Sequence, residues 1–439
     1  MKRSSSFPRF GFAAATLLWL AAAGGGGIAQ AQDTNPDSKD DDSGGGKAKG
    51  LRFVWKRHPS IRAGDWLRVD FRARLQMDWT VLNPETSASP DIFDFERRRF
   101  AVEGVLFKRL EFEISRETAE TDFAWKDVYG NIRIARGLQV RGGRFRIPFS
   151  LEQTTGPTDL DFIERSRIAA RLAPGRDTGV VVHGNILKRG LRYQGGVFGN
   201  DGDIAATTSN LRTGQRTVAG RLVAQPFRWL PVPKLLEDFS IGGAATTSDV
   251  PAGLYGIRGR TAASDTTFPA YFVSGNRRRV GLEMNWMPGP FSVKGELIDL
   301  REQRLKQSIR GEDLPDMIQR GWYLTGTWVV TGQRKSRGLD RGRYVPFIKR
   351  WGAVEVAARY EAIRLASDTA TGIASRSTRA FNATRQSDRL WTFGVNWFLT
   401  QWVKLQANVI RDRIEDSFRA PVQGVPSYWI YKFRMQFTL

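Results

Sequence analysis

Residues 66–79, WLRVDFRARLQMDW, alternate without a break between two kinds of side chain. Leu67, Val69, Phe71, Ala73, Leu75, Met77 and Trp79 fall on one side; Arg68, Asp70, Arg72, Arg74, Gln76 and Asp78 fall on the other. Successive side chains of a β-strand point to opposite faces, so this run demands a strand with one apolar and one charged face. Strands in soluble proteins usually hold about five or six residues. A strand crossing a bilayer at a tilt needs roughly nine to eleven. The pattern therefore predicts a strand with lipid on one side and water on the other.

The same texture returns in RGWYLTGTWVV (320–330), LWTFGVNWFL (390–399) and VKLQANVIRD (403–412). About sixteen such segments begin near residues 66, 97, 109, 124, 138, 177, 191, 217, 238, 279, 291, 320, 351, 389, 402 and 428. An even number is what a bacterial single-chain barrel requires. Short links such as MPGP (287–290) suit periplasmic turns, and the polar stretches 247–278 and 365–388 suit extracellular loops. A soluble β-sandwich also alternates. Strand length, and aromatics gathered near strand ends like an interfacial girdle, favour an all-β fold: a transmembrane antiparallel barrel over residues 65–439. The final segment, YWIYKFRMQFTL, places Trp429, Tyr431, Phe433, Met435, Phe437 and Leu439 on one face. It resembles the terminal strand signal of the outer-membrane barrel assembly machinery, with Leu439 where an aromatic residue is usual. An exposed edge there would invite aggregation, and pairing with the strand near residue 66 removes it.

The N-terminus fits that compartment. Lys2, Arg3 and Arg9 precede an apolar core from Gly11 to Ala23, and Ala29-Gln30-Ala31 supplies a small-x-small cleavage site. Residues 1–31 read as a secretory signal peptide. Residues 32–64, rich in Gly, Asp, Ser and Lys at first, read as a flexible polar linker.

Composition then narrows the chemistry. The chain has no cysteine and only two histidines, His58 and His183, which leaves little material for a metal site or a catalytic triad. No cofactor is expected. His183, Asp177 and Ser166 are the one set that an outer-membrane enzyme could use. A purely structural barrel is a further alternative. The formal charge of +22 implies an anionic partner. Nucleic acid is disfavoured, because the positive charge is spread through strands instead of forming a patch with stacking aromatics.

If the apolar sets face lipid, the charged sets line the lumen. Arg68, Arg72 and Arg74 then point inward from the first strand, with Arg97, Arg99 and Glu103 from the second and Arg141 from a later one. Arg221, Arg279 and Arg359 follow the same parity, whereas Arg98 falls on the opposite one, toward the interface. Such a lumen draws anions and repels cations. Arginine suits phosphate because its fork donates paired hydrogen bonds to an oxyanion. Some of these arginines are expected instead to pair with inward acids or with lipopolysaccharide phosphates.

One stretch breaks the alternation. FRIPFSLEQTTGPTDLDFIERS (145–166) starts as a strand and loses its period after Phe149. With its surroundings (138–184) it resembles the phosphate-selective porin O and P family. The carrying motifs are Gly143-Arg144-Phe145, Pro148-Phe149-Ser150-Leu151-Glu152, Phe162-Ile163-Glu164-Arg165-Ser166 and Leu172-Ala173-Pro174-Gly175-Arg176-Asp177-Thr178-Gly179. RRRFAVEGVLFKRLEFEISRE (97–117) looks like the family's second and third strands. The resemblance implies a sixteen-stranded trimeric porin of the outer membrane whose third extracellular loop folds into the lumen as a constriction. It also implies passive diffusion of small anions, phosphate or polyphosphate among them, with a general diffusion porin as the alternative.

The same resemblance makes Arg97 and Arg99 the leading central ligands. Arg144 and Arg146 flank the loop's start, and Arg165, Arg167 and Arg171 lie in it or just after. Glu152, Asp159, Asp161 and Glu164 are the acids of the constriction loop, and Asp159, Asp161 and Glu164 are expected to hold those arginines in place or to lower the field. The lysine that assists phosphate binding in characterised members maps onto no position of the loop region, and no lysine occurs between Lys126 and Lys188.

Overall fold

A computed structural model describes residues 50–439 apart from 56–57, 85–91, 121–123, 205–215, 234, 258, 261–265, 269, 337–342, 345–351, 368–372, 374–375, 377–385, 416–419, 421 and 423. The expected signal peptide and most of the linker lie outside the described residues.

Sixteen long strands form the wall. They are β1 (Leu67–Asn83), β2 (Ile92–Leu106), β3 (Leu110–Glu117), β4 (Trp125–Ala135), β5 (Leu138–Arg146), β6 (Arg176–Ile186), β7 (Leu191–Phe198) and β8 (Thr217–Ala224). The second half comprises β9 (Ser240–Gly253), β10 (Val273–Trp286), β11 (Phe291–Arg304), β12 (Leu314–Val329), β13 (Ala353–Ser367), β14 (Gln386–Phe398), β15 (Val403–Ile414) and β16 (Ser427–Thr438). Each pairs antiparallel with the next, and β16 closes on β1 with Trp429 opposite Asn83 and Thr438 opposite Arg74. Closure pairs β16 with β1 from Arg74 to Asn83, so the ring of strands has no free edge there, the condition for backbone in hydrocarbon. Among the described residues no helix is long and apolar enough to cross a membrane.

Burial is inverted relative to a soluble protein. On β16 the polar Lys432, Arg434 and Gln436 are buried, while Trp429, Phe433 and Met435 are exposed. On β14 Trp391, Phe393, Val395 and Trp397 face out, and Asp388, Thr392 and Asn396 face in. The parity read from the alternation thus holds, including Arg68, Arg72, Arg74, Arg97 and Arg99 opposite the exposed Trp79 and Phe100. Expected strand starts fall within a few residues of those observed. The largest differences are at β2, β10 and β12, which begin five or six residues earlier than expected because they rise past the apolar belt, where alternation fades. The loops expected at 247–278 and 365–388 are shorter for the same reason.

The linker expectation needs correction. Leu51–Trp55 and Pro59–Ala63 form a hairpin whose second strand pairs with β1, Ser60 opposite Asp70 and Ala63 opposite Leu67. It occupies the part of the β1 edge that β16 leaves uncovered below Arg74. Asp70 fastens it: Ser60 Oγ donates to Asp70 Oδ1 at 2.7 Å, and His58 Nε2 lies 3.0 Å from the same oxygen. Strands of five residues on a sheet edge carry too little pattern to distinguish them from a polar tail.

Candidate functional site: the lumen loop and its arginines

Between β5 and β6, residues 147–175 leave the wall and cross the barrel interior. The entry is shaped by Ser150, whose backbone holds a left-handed φ of 68° while its side chain accepts from the Gln153 amide at 3.1 Å. That caps a short helical turn, α1 (Leu151–Thr154), and a second turn, α2 (Arg167–Arg171), is capped by Ser166 in the same way. Serine at an N-cap satisfies amides that a helix start leaves open. The segment lacks a period of two because it packs its apolar side chains irregularly on a curved wall.

Three inward glycines make the seats. A Cβ on Gly281 of β10 would lie 3.0 Å from Phe149, one on Gly321 of β12 2.4 Å from Ile168, and one on Gly394 of β14 3.1 Å from Phe162. Phe149, Phe162 and Ile168 are all buried to 2% exposure or less. Gly321→Val is therefore expected to push α2 off the wall while leaving the barrel intact. Protease nicking of the loop should rise as heat-resistant gel mobility of the barrel stays unchanged; a loop as resistant as the parent's would contradict the seating.

Polar bonds hold the rest. The Leu151 and Glu152 amides donate to the Glu296 carboxylate at 2.9 and 2.8 Å. Asp161 receives Lys294 at 2.8 Å and Lys335 at 3.2 Å. Burial would raise the Asp161 carboxyl, yet those two ammonium groups hold it well below the usual carboxylate range. Lys404 Nζ donates to the Leu160 carbonyl at 2.9 Å, Arg434 to the Ile163 carbonyl at 2.9 Å, and Lys432 lies 3.2 Å from Glu164. Arg359 reaches Glu152 at 3.2 Å and stacks over Phe162. Arg167 bridges Asp388 and Asp412, both buried.

Two expectations change here. Arg167 is committed to the wall as an anchor. The loop acids Asp161 and Glu164 hold lysines of the far wall, not the neighbouring arginines. These lysines stand 133 to 268 residues away in sequence, so no local pattern announces them.

The remaining predicted residues divide by place. Arg68 pairs with Asp70 at 2.7 Å and Arg72 with Glu103, both on β1–β2 below the loop. Arg141 stacks over Tyr129, 4.5 Å from its ring centre. Arg144 turns to the rim, where it meets Asp203 at 2.9 Å. Arg171 ends α2 and is half-buried.

Arg74, Arg97, Arg99, Arg146 and Arg165 come together. Arg74 lies within electrostatic reach of Arg97, Arg99 and Asp159; Arg165 within reach of Arg97; and Arg146 within reach of Arg99 and Arg165. Arg176, which nothing in the alternation marks as a site residue, joins them. It is clamped by Asp127 at 2.9 Å. Arg97 donates to Gln76 at 2.8 Å and lies 3.2 Å from Glu96; Arg99 lies 3.4 Å from Glu117. Arg146 and Arg165 both donate to the Thr155 carbonyl at 2.7 Å. Nε and Nη1 of Arg74 and Nε of Arg146 are buried and make no hydrogen bond. Buried donors without acceptors are rare and costly. An oxyanion would satisfy them.

Ser166, Asp177 and His183 are not assembled for catalysis. Ser166 caps α2, His183 bonds Asn131 at 2.8 Å, and six residues of strand, roughly 20 Å, separate His183 from Asp177.

Solved structures share this architecture at low identity. In-vitro folded OmpT, an outer membrane protein of Vibrio cholerae, superposes with a TM-score of 0.55 at 11% identity over 86% of this chain and 99% of its own. An anion-selective porin from Comamonas acidovorans gives 0.51 at 12% over 84% and 99%. The outer membrane channel DcaP of Acinetobacter baumannii gives 0.54 at 8% over 85% and 98%. A comparison with curated protein sequences finds no match. The family model described as phosphate-selective porin O and P matches residues 69–439.

Proposed function

The chain belongs to the phosphate-selective porin O and P family, an outer-membrane barrel, and on that premise we propose that it passes small anions by diffusion through an arginine-lined constriction. The observation that carries this reading is the grouping of Arg74, Arg97, Arg99, Arg146 and Arg165. Most loop bonds run to β10–β16, whereas these arginines have one another as neighbours, and Arg74 and Arg146 among them keep buried donors open. Guanidinium groups so placed lower the energy of an anion in the narrowest section and raise that of a cation. Phosphate suits paired N–H donors best among common inorganic anions.

The inward lysines that could add to a phosphate site, Lys294, Lys335, Lys404 and Lys432, are engaged in holding the loop. That supports a general preference for anions, with phosphate its tightest member, over exclusion of all others. An enzymatic role has no assembled residues in its favour. Homotrimeric assembly, contact with lipid and lipopolysaccharide, and delivery through the C-terminal strand belong to the same reading.

The test is a blockade titration. Chloride current through the purified protein in planar bilayers is expected to fall as phosphate is added, with sulfate weaker. A current indifferent to phosphate would reduce the site to unspecific attraction, and cation selectivity would overturn the reading.

A further inference from the structure

A second group of arginines lies on the outside of the barrel. Arg278 on β10, Arg301 on β11, Arg320 on β12, Arg364 on β13, Arg389 on β14 and Arg413 on β15 all share the parity of lipid-facing residues and are exposed. Each sits in the half of its strand nearest the extracellular loops. Directly membrane-ward comes a row of aromatics: Trp322, Tyr360 and Trp391, with ring centres 5.4 and 4.7 Å apart, and Trp429 beneath Arg411. An aromatic row of that kind marks the level of the headgroups.

The register makes the row costly. Arg278 stands opposite Arg301, Arg320 opposite Arg364, and Arg389 opposite Arg413. Like charges directly opposite one another destabilise a sheet. Asp299 relieves one end, reaching Arg320 at 2.6 Å and Arg301 at 3.4 Å, and Asn276 accepts from Arg278 at 2.7 Å. Arg364, Arg389 and Arg413 have no such partner among the described residues. Six adjacent strands with three like-charge pairs make a row that an anion from outside the chain would stabilise.

We propose that this row binds the phosphate groups of the phosphorylated glycolipid of the outer leaflet, lipid A. Its acyl chains lie against the exposed Val280, Leu282, Leu324 and Phe393 below, and its phosphates meet the guanidinium forks above. Spaced at about 4.8 Å per strand, the row spans roughly 24 Å, room for more than one headgroup. This surface is separate from the pore.

The protein in detergent, titrated with bisphosphorylated lipid A, is expected to bind it about ten-fold more tightly than the same lipid stripped of phosphate. Arg320→Glu with Arg389→Glu should abolish that preference while the reversal potential stays at the parental value. Should that pair fail to fold, Arg320→Gln with Arg389→Gln is measured in its place. Equal affinity of the native protein for the two lipids would overturn the proposal, as would a preference that survives substitution. So would variants that fall apart into monomers yet still prefer the phosphorylated lipid, since the row would then be a subunit contact.

Discussion

Replacing Arg97 and Arg99 together by glutamate is expected to turn an anion-preferring channel into a cation-preferring one, moving the zero-current potential in a salt gradient through zero. The change amounts to four unit charges where the loop narrows the lumen. Among the described residues Arg97 meets Gln76 and the single carboxylate of Glu96, and Arg99 the single carboxylate of Glu117 at 3.4 Å. Each substitution thus also sets a glutamate beside an existing acid and adds to the reversal of charge. Fields of several kT are usual in charged clefts, and about 1.4 kcal/mol shifts an ion's partition ten-fold. Anions lose and cations gain at the same point, so the permeability ratio should fall by roughly two powers of ten at low salt and less at high salt. Arg68→Glu is the control, because Arg68 lies near the other end of β1, paired to Asp70. A reversal potential that does not move would remove Arg97 and Arg99 from the conduction path.

Arg167→Met should have the largest effect on the constriction itself. The shorter, uncharged side chain removes the charge that lies between Asp388 and Asp412, leaving two buried carboxylates facing a vacated partner. Breaking a buried pair in this way costs about 3–5 kcal/mol. The apolar seats of Phe149 and Phe162, outside α2, each contribute about 1.5–3 kcal/mol, which together is comparable to that loss. The loop as a whole therefore stays docked while α2 comes free, and the expected record is noisy current with excursions to a larger conductance. Adding Asp388→Asn and Asp412→Asn should quiet the channel again by removing the uncompensated charge. Steady parental conductance in the single variant would show that Arg167 does not hold the loop.

Much of the wall was legible in the sequence because a strand's two faces impose a rule on every second residue. The sixteen segments, the outward Trp391 and Phe393, and the inward arginines of β1 and β2 all follow from it. What the alternation does not encode is contact between distant parts. Arg167 and Arg97 look alike as arginines near an irregular segment, yet one finds two carboxylates 221 and 245 residues away and the other does not. Gly281, Gly321 and Gly394 could have been noticed as glycines at inward positions of otherwise bulky strands. That signal says a neighbour approaches, without saying which one. The hairpin at 51–63 escaped for a different reason, since its second strand is defined by the edge it covers more than by its own pattern.

Lys432 and Arg434, which hold Glu164 and Ile163, lie on the last strand of the chain. Asp388 and Asp412, which hold Arg167, belong to the two strands before it. A chain assembling from its N-terminus therefore makes the segment that narrows the lumen long before it makes what keeps that segment in position. Contacts of such sequence separation form late. The seam between β16 and β1 and the docking of the loop are completed by the same strand, so a barrel that has not yet closed has no finished filter. Leakiness during biogenesis and loss of selectivity after damage to the C-terminal strand become one physical event.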